Sequence, residues 1–87
     1  MAIKTEYKYI KFVLIEHKPK TDVYEIASNH KTSTLGEIRW NSQWRQYVFH
    51  PYYDCIFSKD CLSDIIDFIK KLGKERILKA GQIDKNE

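Results

Sequence analysis

The chain has 87 residues, 43% hydrophobic and 14% aromatic, with 15 basic and 12 acidic side chains for a net charge of +3. A chain of this length is a single domain, 1–87, that buries only about 60% of the surface its unfolded state exposes, and its apolar content argues for a globular fold, not disorder. The longest uninterrupted aliphatic or aromatic run, Phe12-Val13-Leu14-Ile15, is far short of the ~20 residues that span a bilayer.

Met-Ala-Ile-Lys-Thr-Glu-Tyr-Lys at the start has no apolar signal region, so the expected location is the cytoplasm. Cys55 and Cys61 are too few for a disulfide framework and read as reduced thiols. The charge balance permits nucleic-acid binding without requiring it.

In chain order, residues 7–16, "YKYIKFVLIE", are β-branched and aromatic around an apolar run and predict a strand. "HKPKTD" makes a turn around Pro19. Residues 22–28, "DVYEIAS", predict a second strand, and "NHKTST" a polar loop. Residues 34–40 and 44–50 predict a third and a fourth strand, which Pro51 ends because it cannot donate to the ladder. The period then changes. Leu62, Ile65, Ile66, Ile69 and Leu72 recur at helical spacing, with Asp64, Asp67, Lys70 and Lys71 mainly on the other side. Ser58 or Asp60 can cap this helix. Gly73 either ends it or weakens it. The ordered part is expected over about 5–78, with the tail from Ala80 frayed. The order β-β-β-β-α with short loops predicts an α+β fold: a four-stranded antiparallel meander with one C-terminal helix packed on one face.

Residues 35–51, "LGEIRWNSQWRQYVFHP", are the densest stretch. A three-residue loop, Asn41-Ser42-Gln43, would pair Trp40 with Trp44, Ile38 with Gln46 and Gly36 with Val48 on one face. Arg39 would then meet Arg45, Glu37 meet Tyr47, and Leu35 meet Phe49 on the other. A two- or four-residue loop would shift that parity; the three-residue register gives the cleaner segregation. On a plain structural reading the tryptophans are core and Arg39, Glu37 and Arg45 form a weak surface network. On a functional reading the two arginines make an anion site, with the Tyr47 ring as a stacking surface.

The two Trp, six Tyr and four Phe side chains exceed what one helix can cover. Strand one carries apolar residues at both parities, Phe12 and Leu14 on one and Val13 and Ile15 on the other. Apolar surface is therefore expected on the uncovered face, where it would mark a binding site.

Catalytic patterns are sparse. His50, Asp54, Cys55 and Cys61 give H-x3-D-C-x5-C, which matches no usual zinc spacing. Cys61 near a helix start has only His50 as a candidate base. Ser58 and Ser63 suit capping and surface positions. No P-loop, nucleophile elbow or dinucleotide fingerprint is present. A non-enzyme with no cofactor, no metal and no small-molecule substrate is expected.

The stretch "LGEIRWNSQWRQYVFHP...CLSDIIDFIKKL" resembles a family of small uncharacterised proteins of phages and bacterial mobile elements. The pattern is G-x-I-x-W, then W-R-x-Y-x-F-x-P, then C-L-x-D-I-x-x-F-I. Here it falls on Gly36, Ile38, Trp40, Trp44, Arg45, Tyr47, Phe49, Pro51, Cys61, Leu62, Asp64, Ile65, Phe68 and Ile69. It covers roughly the C-terminal half, implies a phage or integrated-element setting, and carries over no catalytic residue.

The function expected is a small binding protein acting on a protein partner through the open sheet face, with Arg39, Arg45, Tyr47, Glu37 and Lys11 as contact candidates. Two alternatives stand beside it. One is DNA binding by the same face, through Arg39, Arg45, Tyr47, Lys8 and Lys11. The other is a homodimer that closes its own sheet.

Overall fold

The computed structural model describes residues 3–83, with side chains through residue 76. Its elements are β1 (Ile10–His17), β2 (Asp22–Ser28), β3 (Thr34–Asn41), β4 (Gln46–Pro51) and α1 (Lys59–Ile83). The strands form one sheet in the order β1-β2-β3-β4, every neighbour antiparallel. This is the expected α+β meander with its C-terminal helix.

Alternation along the strands sends Ile10 and Phe12, Tyr24 and Ile26, Ile38 and Trp40, and Tyr47 and Phe49 to one face. The helix covers that face with Ile65, Phe68 and Leu72, all buried. Phe68 is fully buried at the centre. Its ring stacks on Phe12, with centroids 4.0 Å apart and planes 4° from parallel, and meets Tyr24 edge-on at 4.9 Å. Such contacts add to the area term. Seating Phe68 there turns the helix so that Leu62 and Ile66, expected in the buried stripe, are 41% and 53% exposed.

The first strand begins at Ile10, three residues later than the apolar run suggests. Residues 5–7 double back along its outer edge instead. Phe12 N–H donates to the Thr5 carbonyl (2.8 Å) and Tyr7 N–H to the Ile10 carbonyl (2.9 Å). The Asn29 side-chain amide holds this turn by donating to the Tyr7 carbonyl at 2.7 Å. Tyr7 thereby lies edge-on to Phe12 and donates its hydroxyl to Asp67 on the helix (2.7 Å). Desolvation and that carboxylate push the Tyr7 phenol well above its ordinary range.

Ser58 is the helix cap: its Oγ accepts from Cys61 N–H at 3.2 Å and its carbonyl from Leu62 N–H at 3.0 Å. The helix runs through Gly73 to Ile83, so Gly73 does not end it, and residues 80–83 are helical where fraying was expected. Residues 84–87 of the expected tail lie outside the described residues.

Gly36 is required by close approach. A Cβ there would sit 2.6 Å from the His50 carbonyl oxygen and 2.9 Å from the Phe49 ring, so the Phe49 ring lies where the Gly36 side chain would otherwise stand.

Phe68→Ala should cost about 3–5 kcal/mol, a large part of the stability of a domain this small. Urea unfolding followed by circular dichroism measures it.

Candidate functional site

The hairpin decides where the candidate residues go, and it differs from the register expected. Trp40 pairs with Tyr47, Asn41 with Gln46, Ile38 with Phe49, and Arg39 with Val48. The loop is therefore four residues, Ser42 to Arg45. Asn41 closes it twice: its side-chain Oδ1 accepts from Trp44 N–H (2.8 Å) and its carbonyl from Arg45 N–H (2.7 Å). Arg45 takes a left-handed conformation, φ 56°, which costs roughly 1–2 kcal/mol for a residue with a Cβ. In exchange Tyr47 and Phe49 face the core in place of Gln46 and Val48. Burying an aromatic ring is worth about 1.5–3 kcal/mol, so the strained turn wins.

Three expectations are corrected by this register. Trp44 is not a cross-strand partner of Trp40; it sits on the turn, 67% exposed. Arg39 and Arg45 are not opposite one another. Tyr47 is not an exposed stacking surface beside Glu37 but a core residue, 4% exposed, with its ring edge-on to Trp40 at 5.3 Å. The Tyr47 hydroxyl accepts Asp22 N–H at 3.2 Å. Asparagine at the first turn position was the available signal. Arginine at the left-handed position, where Gly or Asn is usual, hid it.

The candidates thus divide between two surfaces. Glu37, Arg39 and Lys11 belong to the face away from the helix, and Lys11 lies apart from the other two, opposite Ala27 on β1. Arg39 Nε donates to Glu37 Oε1. Glu37 and Glu25 stand directly opposite in the β2–β3 register, an arrangement that repels. The Tyr52 hydroxyl lies between them, 2.8 Å from Glu25 and 3.0 Å from Glu37. The Arg39 hydrogen bond holds the Glu37 carboxyl below its ordinary range. Desolvation, then the two carboxylates, push the Tyr52 phenol well up. Tyr52 was not among the residues singled out from the sequence; no periodicity marks a residue just past a strand end. Val23, of the same strand parity as Glu25, is 2% exposed, so part of this face is shielded from solvent.

Arg45 and Tyr47 instead line a groove of about 440 Å³ between the β3–β4 hairpin and the helix. Trp40 and Gln46 complete its sheet wall; Ile69, Lys70, Gly73, Lys74 and Arg76 form the helix wall. The Arg76 guanidinium lies 3.9 Å from the Trp40 ring centroid, a cation–π contact. Every charged side chain lining the groove is basic.

The thiols are not drawn into a common centre with His50. Cys61 packs against the helix-side core, whereas His50 pairs with Glu37 on the open face. Both cysteines are free and half-buried, and Cys55 lies 3.9 Å from the Thr34 carbonyl. Among the described residues no three His, Cys, Asp or Glu side chains are grouped to hold a metal ion, and no helix is long and apolar enough to cross a membrane.

Arg39→Ala should lower stability by at most about 1 kcal/mol at neutral pH, because the pair is partly exposed. A carboxylate with a depressed folded-state pKa stabilises above its unfolded pKa, and that stabilisation is lost as pH falls through the folded value. The gap between the parent and Arg39→Ala should therefore shrink below about pH 4.3, which denaturation at pH 7 and pH 3 will measure. Arg45→Gly should raise stability by up to about 1 kcal/mol, the relieved strain less the added chain entropy of glycine; differential scanning calorimetry checks it.

No family model and no solved structure matches the chain. Over 70 residues it is 31% identical to the "Uncharacterized 9.3 kDa protein" of Acholeplasma phage L2, an alignment spanning 79% of this chain and 90% of that protein. The aligned length exceeds the C-terminal half in which the W-R-x-Y-x-F-x-P pattern lies, so the likeness takes in the second strand as well. The chain belongs to the family of small phage proteins represented by that 9.3 kDa protein.

Proposed function

We propose that this protein is a small non-enzymatic binding protein of a phage or mobile element, acting on a protein partner through the open sheet face and the adjoining edge of β1. The observation that carries this is the exposure of apolar side chains along an edge strand: Val13 at 43% on the open face, Ile15 at 46% in the bulge beside it, and Leu14, of the helix-side parity, at 49%. Single exposed apolar residues are ordinary. A contiguous apolar run on a sheet edge is the kind of surface that soluble proteins otherwise cover or charge.

Two features guard the edge against indiscriminate pairing. Residues 5–7 occupy the outer side of the strand's first half, through the Phe12-to-Thr5 hydrogen bond and the Glu6–Lys11 bridge. A bulge between Leu14 and Glu16 interrupts the second half. What stays accessible is side-chain surface around Val13 to Ile15, which favours a partner that packs on the face over one that simply extends the sheet.

Charge separates this reading from DNA binding by the same face. Arg39 is bonded there to Glu37, and Glu25 stands opposite Glu37. Those carboxylates would repel phosphate, whereas a protein partner can match both signs. Homodimerisation through Val13 to Ile15 is the remaining alternative.

The test is site-specific photo-crosslinking in phage-infected host cells, with the crosslinker at Ile15 and a control at Lys31 in the β2–β3 loop. One protein species should be captured at 15 and not at 31, and Val13→Lys should abolish its capture. Because Val13 is already half-exposed, that substitution should change stability by no more than about 0.5 kcal/mol. Identical products at both positions would sink the reading; a crosslink to a second copy, with light scattering that reports a dimer, would replace it with the homodimer.

A further inference from the structure

We propose that the basic groove between the β3–β4 hairpin and the helix binds the phosphodiester backbone of a single-stranded nucleic acid. It lies away from the open sheet face and stands independently of the protein-partner reading.

Three observations carry it. The first is charge on both walls: Arg45 belongs to the hairpin turn, and Lys70 and Lys74, one helical turn apart and both exposed, belong to the helix. The second is the hydrogen-bonding sense of the lining. Arg45, Lys70, Lys74, Arg76 and the Trp40 indole are donors without acceptors. Among the described residues the only acceptor side chains in the lining are Gln46 and Tyr47, whose hydroxyl already takes Asp22 N–H. The phosphates of a nucleic-acid strand offer only acceptors. A peptide presents an N–H at nearly every residue and would find few partners here, so the lining favours nucleic acid over an acidic peptide. The third is the half-buried Trp40 indole on the sheet wall, with the Arg76 guanidinium beside it. Planar rings and guanidinium groups are the surfaces on which unstacked bases rest. A base within a duplex is stacked and could not reach them.

Gly73 adds a fourth element. A Cβ at this position would meet nothing within 4 Å. Glycine weakens a helix relative to alanine, and no turn or left-handed conformation requires it here, since no glycine among the described residues has positive φ. Its consequence in this fold is open space on the helix wall of the groove.

The test is fluorescence anisotropy with labelled single-stranded oligonucleotides of mixed sequence, an equal-length duplex, and a mononucleotide and polyglutamate as competitors. The parent should bind the single strand in preference to the duplex, with affinity falling steeply as salt rises. Lys70→Glu/Lys74→Glu should weaken binding by at least about tenfold and flatten the salt dependence. Lys31→Glu/Lys59→Glu, the same change in net charge at the opposite end of the sheet, should stay within about threefold. Gly73→Leu should raise the melting temperature through helix propensity while abolishing binding, which separates a filled groove from an unfolded protein. In a Trp44→Phe background, the fluorescence of Trp40 should change on saturation. The proposal is overturned if the parent does not bind the single strand, if the two charge-reversed proteins lose affinity equally, or if Gly73→Leu binds as the parent does. Preference for the duplex, or equal displacement by the mononucleotide or polyglutamate, would overturn it as well. Because Val13 and Ile15 play no part in this site, failure here leaves the open-face reading standing, and the reverse also holds.

Discussion

The stack of Phe68 on Phe12 is the contact from which the rest of the architecture follows. A four-stranded sheet with one helix has a single buried layer, and Phe68 fills its centre between β1 and β2. Once that ring is seated, the helix has no rotational freedom. Ile65 and Leu72 must point to the sheet, Leu62 and Ile66 must turn outward, and Asp67 comes within reach of the Tyr7 hydroxyl. The same rotation brings Lys70 and Lys74 to the groove beside the hairpin. A residue with no chemistry of its own thus positions the charged groups that could have some.

The hairpin shows how a local cost is accepted for a larger gain. A three-residue loop would spare Arg45 its left-handed backbone, but it would put Gln46 and Val48 toward the core and Tyr47 and Phe49 away from it. The aromatic area outweighs the strain. Gly36 belongs to the same solution, because a side chain there would collide with the Phe49 ring that the four-residue register turns inward. Gly36, Ile38, Trp40, Tyr47 and Phe49 therefore make one packing unit: a glycine that makes room, and the aromatic residues that use the room.

The two surfaces this leaves have opposite electrical characters. On the open face the charges near the centre are hydrogen-bonded to one another, with Arg39, Glu37, Glu25 and Tyr52 linked across two strands and the segment beyond β4. Such a network fixes side chains in place, so recognition there depends on shape and on the apolar surface of Val13 and Ile15. The groove has donors and positive charge on both walls and no carboxylate in its lining. It differs from the open face as an electrostatic funnel differs from a docking plane.

Element types, their order and the antiparallel meander were legible in the sequence. Period-two and period-3.6 patterns are local, and short loops leave few topologies. The serine cap of the helix and the apolar surplus on strand one were legible for the same reason. The register of the last hairpin was not, because two loop lengths place apolar residues on a common face and only packing against the helix chooses between them. That choice moved Tyr47 from the surface to the core and parted Arg39 from Arg45. Tyr52 joined Glu25 and Glu37 through a contact between segments 15 and 27 residues apart. The groove likewise needs the hairpin and the helix in one place. By itself the sequence determined which segments would be strands and helix, because those preferences are written in neighbouring residues. Only the tertiary structure decided which side chains share a surface, because that depends on how one aromatic ring, Phe68, seats the helix on the sheet.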